Sequence, residues 1–111
     1  MSRIGAFLAL AIAVMTASAS AQTVTSTVMG IGTDSCASWL STPRLESQGR
    51  VWILGFWTGS NIMNPFSHNV GNTSDPEGIW GEVKKICVAE PSTTLATATS
   101  RVYISFARAK K

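Results

Sequence analysis

Metal-binding and acidic residues are scarce in this 111-residue chain, which contains one histidine, two cysteines and six acids. One histidine and two cysteines supply too few ligands for a zinc site, so we expect no bound metal. The nine basic residues are scattered and give a net charge of only +3, whereas nucleic-acid-binding domains usually concentrate basic residues on one face. Gly30-Ile31-Gly32 has neither the preceding strand nor the lysine of a phosphate-binding loop. The composition therefore predicts no metal, no cofactor and no nucleic-acid partner.

Long apolar runs are also missing from the sequence. The run from Ile4 to Met15 is about a dozen residues long, whereas a helix that spans a bilayer needs roughly 20. It follows Met1-Ser2-Arg3 and precedes Ala19-Ser20-Ala21, which is the layout of a secretory signal peptide. We predict a signal peptide at 1–21 and a periplasmic or secreted protein without a membrane span after cleavage. A retained membrane anchor is the alternative.

The two cysteines, Cys36 and Cys87, allow a single intramolecular pairing. Export would place them in an oxidising compartment, where disulfides form and persist. A bond across this separation would stabilise the chain by about 4 kcal/mol, which is comparable to the net stability of a small domain. We therefore predict a structural disulfide. The alternative for Cys36 is a reactive thiol near a helix N-terminus.

Prolines and helix-capping residues divide the rest of the chain into a flexible lead-in at 22–33 and a helical domain at 34–111. A short helix is predicted over 35–42, capped by Thr33 or Asp34 and ended by Pro43. A second helix is predicted from about Glu46 to Met63, although its β-branched and aromatic residues leave a strand as the alternative. Residues 64–75 are predicted to form a loop. A third helix is predicted to begin at Asp75-Pro76-Glu77 and to end before Pro91. The last helix is predicted to be capped by Ser92 or Thr93 and to bury an apolar stripe of Leu95, Ala98, Val102 and Phe106.

Residues 51–57 are apolar all the way round if they form a helix. Such a helix must be covered on most sides, so we expect it to be the central element of the domain. Gly55 and Gly59 lie four residues apart and on one face of that helix. Because they remove two side chains there, we expect a neighbouring backbone to approach closely.

The chain carries few candidates for chemistry. Asp34, Ser35 and His68 include the residue types of a hydrolytic triad, but such a triad is defined by geometry and Ser35 lacks the Gly-x-Ser-x-Gly elbow. We therefore predict no catalytic site. We expect His68 to be a solvated loop residue, with a pH-sensitive group as the alternative interpretation. The four tryptophans, at 39, 52, 57 and 80, have two interpretations: core packing, or an interface anchored by an exposed indole.

The motifs "SCASWL" (35–40) and "WILGFWTGSN" (52–61), followed by a helix that ends in Cys87 and Pro91, resemble a group of small exported bacterial proteins. This group looks like distant kin of the HdeA acid-stress periplasmic chaperones and is also similar to the periplasmic immunity proteins that neutralise amidase toxins of type VI secretion. The resemblance covers about residues 33–106. It implies an all-α, HdeA-like bundle of four helices, one of them short, stapled by one disulfide.

We expect from these observations an exported, non-enzymatic helical protein that acts by contact with a protein partner. Trp39, Trp52, Trp57 and Trp80 are the candidate interface residues. An HdeA-like acid-stress chaperone is the first alternative, although six acids are few for a switch driven by protonation. A small hydrolase that uses Ser35 or His68 is the second.

Overall fold

The structure is a computed structural model that describes residues 26–109 of the chain. Within this range a short 3₁₀ turn at Gly30–Thr33 precedes four helices, which are α1 at Cys36–Trp39, α2 at Pro43–Met63, α3 at Pro76–Ala89 and α4 at Leu95–Ala109. The same range contains no strand. These observations confirm the prediction of an all-α bundle with one short helix. The predicted signal peptide at 1–21 lies outside the described residues, as does the start of the lead-in.

The disulfide joins the short helix to the third one. Cys36 in α1 and Cys87 in α3 are bonded, with their Cα atoms 4.8 Å apart, so the predicted pairing is confirmed. Both cysteines are buried in a single core that draws on every helix and on the loop before α3. The largest fully buried side chains besides the cysteines are Trp39, Ile53, Val83, Leu95 and Thr99.

Two of the helices begin with the same combination of a capping side chain and a proline. The Asp75 carboxylate accepts a hydrogen bond from the Gly78 N–H at 2.8 Å, and Pro76 is the first residue of α3, as predicted. Thr42 accepts from the Leu45 N–H in the same manner, and Pro43 is the first residue of α2. The sequence prediction that α2 begins near Glu46 was therefore wrong, because Pro43 begins this helix as well as following the preceding one.

The caps of α1 and α4 lie one or two residues beyond the predicted positions. Ser35 caps α1 by accepting from the Ser38 N–H, and Thr94 caps α4 by accepting from the Thr97 N–H. Residues 30–33, which the sequence analysis placed in the lead-in, form the 3₁₀ turn against α2, and Gly32 within it is buried. The packed part of the protein therefore begins before Asp34.

Helix α2 contacts the 3₁₀ turn and all three other helices, as expected of the central element, but residues 51–57 are not covered on every side. Ile53 and Trp57 are buried, whereas Val51 is 71% exposed. The three other helices and the 3₁₀ turn cover most of α2 and leave in solvent the face that bears Val51 and Gly55. No helix within residues 26–109 is long and apolar enough to cross a membrane.

The glycines that allow close packing are different from the predicted ones. A Cβ atom added at Gly55 or Gly59 would meet nothing within 4 Å, so the expected close approach at this pair was wrong. A Cβ at Gly49 would instead overlap the indole of Trp39, and one at Gly32 would overlap the indole of Trp52. The close contacts in this fold are thus between glycines and tryptophan rings.

Gly71 is the third glycine beneath an indole. Its φ of +84° is in the left-handed region, which residues with a Cβ atom rarely adopt. An added Cβ would also lie 2.9 Å from Nε1 of Trp57. Glycine is therefore needed at this position both for the turn and for the ring that packs on it.

Candidate functional site

The four tryptophans connect segments of the fold through their indole N–H groups. Trp39 and Trp57 are 1% and 5% exposed, and their Nε1 atoms donate to the backbone oxygens of Glu46 and Val70 at 2.9 and 2.8 Å. A partner could contact neither of these two indoles without opening the domain. For these two tryptophans the structure therefore agrees with core packing, one of the two interpretations that the sequence left open.

Trp52 and Trp80 are half-buried and are tied down in the same way. Trp52 Nε1 donates to the backbone oxygen of Met29 at 2.8 Å, which fastens the chain before the 3₁₀ turn to α2. Trp80 Nε1 donates to the backbone oxygen of Arg50 at 3.1 Å, and the Arg50 guanidinium lies 4.8 Å from the Trp80 ring centroid. Part of each ring is accessible, but its polar atom is already used within the fold.

Ser35 and His68, the two residues of the hydrolase alternative, make hydrogen bonds in different parts of the fold. The Ser35 hydroxyl accepts from the Ser38 N–H at the start of α1. His68 Nδ1 lies 2.9 Å from the backbone oxygen of Asn61, near the end of α2. No hydrogen bond connects Ser35 with His68 in the described structure, and residues 26–109 contain no cluster of three or more His, Cys, Asp or Glu that could hold a metal.

The two most exposed large apolar side chains of the described residues lie at the end of α2 and in the loop that follows it, beside the last turns of α4. Phe66 is 95% exposed, Met63 is 80% exposed and Ile104 is 44% exposed. Together with Pro65, Tyr103 and Arg108 they line an open groove of about 680 Å³, which we name the Phe66 groove. Phe66 also borders a second cavity of about 400 Å³ that Val70 and Phe106 line, so its ring stands between two concave surfaces.

A hydrogen-bonded turn holds Phe66 in this exposed position. The Asn64 side-chain oxygen accepts from the N–H groups of Phe66 and Ser67 at 2.8 and 3.1 Å. The Asn64 amide nitrogen donates to the Tyr103 hydroxyl at 3.1 Å. The turn is thereby fixed both to the end of α2 and to α4.

Asn61 anchors the other end of the same loop. Its side chain exchanges two hydrogen bonds with the backbone of Val70, both 3.1 Å long. Its oxygen also accepts from the Tyr103 hydroxyl at 2.9 Å, and the Tyr103 ring packs against Trp57 with 5.0 Å between centroids. The loop that carries Phe66 is therefore connected to the core through one asparagine and one tyrosine.

Positive charge predominates along the sequence that forms this end of the bundle. Residues 47–74 and 91–111 contain no aspartate or glutamate. Arg101, Ile104 and Arg108 are spaced to lie on one face of α4, and together they line a further cavity of about 600 Å³ beside the groove. Arg101 pairs with Glu90 at 2.7 Å, whereas Arg108 has no ion-pair partner among residues 26–109.

Sequence reasoning missed the Phe66 groove because it placed the interface on the tryptophans. The available signal was Phe66 itself, an aromatic residue between Pro65 and Ser67 in a polar loop that offers no apolar periodicity to bury it. A tryptophan can be buried inside a fold when its indole N–H finds a hydrogen-bond acceptor there. The phenylalanine that no helical stripe could bury was the better indicator of a surface site.

Comparisons with known proteins add no assignment, since no family model, no curated protein and no solved structure matches the chain.

Proposed function

We propose that this protein is an exported, non-enzymatic binding protein that acts by contact with a protein partner through the Phe66 groove. The observation that carries the proposal is the 95% exposure of Phe66 on a turn that hydrogen bonds hold in place. Burial of one such side chain is worth about 1.5–3 kcal/mol. The fold leaves this stabilisation unused at Phe66. Three hydrogen bonds of the Asn64 side chain instead hold the ring in its exposed position.

The fixed geometry of the turn also favours binding over simple exposure. Ordering a loop on association costs free energy, and a surface that is already ordered avoids that cost. Aromatic residues in such positions are enriched among the few side chains that dominate interface energies. Met63 and Ile104 extend the same apolar surface on both flanks of the turn.

The disulfide and the sequence of residues 1–21 support the exported location. The bond between Cys36 and Cys87 fits an oxidising compartment, and the N-terminal residues have the layout of a signal peptide. We therefore expect the partner in the periplasm or outside the cell.

The proposal is tested by affinity capture from the periplasm of the source organism with the disulfide-bonded chain as bait. Wild type is compared with Phe66→Ser and with Val88→Ser, which removes another exposed apolar side chain, 67% accessible, from α3 beside Cys87. We expect a partner that wild type and Val88→Ser retain and that Phe66→Ser loses. Equal capture by both variants, or capture lost with Val88→Ser alone, would contradict the proposal.

A further inference from the structure

We infer that the partner segment that occupies the Phe66 groove carries carboxylates beside an apolar anchor residue, an inference that rests on the proposed function. The apolar part of the match follows from Met63, Phe66 and Ile104, which form the exposed lining of the groove. The acidic part follows from the charges around that lining.

The distribution of acids in the chain leaves the groove without negative charge. Four of the six acids form ion pairs with basic side chains, and none of the four lines the groove: Glu46, Glu77, Glu82 and Glu90. Asp75 caps α3. Helix α4, which supplies one wall of the groove, has two basic residues, Arg101 and Arg108, and no acid.

Arg108 is the charge that a partner would meet. It lines the Phe66 groove and the neighbouring cavity at the end of α4, and no ion pair within the described part of the chain neutralises it. Arg101 adds a second guanidinium about two helical turns earlier on the same face of α4, and this charge is partly offset by Glu90. Complementary charge of this kind sets partner choice and the rate of association more than the final affinity.

A peptide segment fits this surface better than an anionic membrane does. Electrostatic binding to lipid headgroups typically uses clusters of about four to eight basic side chains, whereas among residues 26–109 two arginines flank this groove and one of them is already paired. The surface is also concave, with about 680 Å³ between α2, its following loop and α4.

The experiment selects short random peptides displayed on phage against the immobilised, disulfide-bonded full chain. We expect enrichment of peptides with an aromatic or aliphatic residue next to Asp or Glu. Affinity of a synthesised winner should fall about 30-fold with Phe66→Ser, as expected when an aromatic hot spot is removed. It should fall about fivefold with Arg108→Gln, and it should weaken as salt rises. Arg44→Gln, at an exposed arginine at the start of α2, is the matched control and should change nothing.

Each other outcome has a defined meaning. Peptides that depend on Phe66 but show no enrichment of acids, or whose affinity ignores Arg108, overturn this inference and leave the proposed function standing. Peptides that bind regardless of Phe66→Ser, or a selection that enriches nothing, count against the groove and so against both. Flotation with vesicles of phosphatidylglycerol and phosphatidylcholine, if it is lost with Phe66→Ser and accompanied by no acidic peptide, assigns the surface to lipid and overturns both as well.

Discussion

Substitution of alanine at two glycines of α2 should change stability in opposite directions. Gly49 lies beneath the indole of Trp39, and a Cβ there would overlap the ring, whereas a Cβ at Gly55 would meet nothing within 4 Å. Both positions are helical. The pair therefore separates the cost of displacing a buried tryptophan from the general preference of helices for alanine.

The magnitudes follow from the contacts at each position. Alanine gains about 1 kcal/mol over glycine in a helix interior, and at Gly55 this gain should appear undiminished. At Gly49 the same gain is opposed by overpacking, which costs about 1–3 kcal/mol. Displacing the indole also weakens the hydrogen bond from Trp39 Nε1 to the Glu46 oxygen, worth about 1 kcal/mol. We expect Gly49→Ala to destabilise the domain by about 2 kcal/mol and Gly55→Ala to stabilise it by about 1 kcal/mol.

Thermal unfolding followed by circular dichroism measures both changes. For a domain of this size, about 4–8 °C of midpoint corresponds to 1 kcal/mol. Gly49→Ala should thus lower Tm by about 10 °C while Gly55→Ala raises it by several degrees. If both variants raised Tm by a similar amount, Trp39 could not be packed on Gly49, and the account of glycine–tryptophan packing would be refuted.

Three further perturbations test other parts of the structure. Replacing Cys36 and Cys87 together by alanine should lower the unfolding free energy by about 4 kcal/mol in urea titrations, and an unchanged midpoint would show that the bond does not form. Asn61→Ala should speed hydrogen exchange at the Val70 amide about tenfold or more while α3 stays protected, because that amide loses its acceptor; uniform exchange across the domain would contradict a local anchor. Dye-accessible apolar surface should not increase at roughly pH 3, because the ion pairs of the described residues all lie at the surface, where each contributes about 0–1 kcal/mol. An increase there would favour the acid-stress chaperone alternative.

The elements that the sequence predicted well are those set by local chemistry. Asp75, Pro76 and Glu77 are three successive choices that favour the first turn of a helix, and α3 begins there. The stripe that includes Leu95, Val102 and Phe106 is buried along α4 as its spacing predicted. The disulfide followed from the presence of only two cysteines together with the expected export to an oxidising compartment.

The surroundings of α2 could not be predicted in the same way. An apolar stretch shows that a helix can be buried on any side. How much of the helix is buried depends on the number and the length of the elements that pack against it. Here the 3₁₀ turn, the short α1 and two longer helices bury Ile53 and Trp57, and the face that bears Val51 stays in solvent. Which glycines permit close contact depends on where distant tryptophan rings fall, and helical spacing does not contain that information.

The candidate site was missed for a related reason. Helical periodicity detects side chains that share a face, whereas Phe66 lies in a loop whose position is fixed by Asn64 and by Tyr103 from a helix 39 residues away. Long-range polar contacts of this kind leave no periodic trace. The tryptophans were predicted as interface candidates because large aromatic side chains often anchor interfaces. All four instead donate their indole N–H groups to backbone oxygens of the fold.

Contact at the Phe66 groove is tested most directly by photo-crosslinking in cells of the source organism. A benzoylphenylalanine residue is placed at position 66 in one version of the chain and at position 88 in another, since both sites are exposed. We expect irradiation to join one discrete protein partner to the version modified at 66 and not to the one modified at 88. No adduct at 66, or the same adduct from both positions, would contradict it.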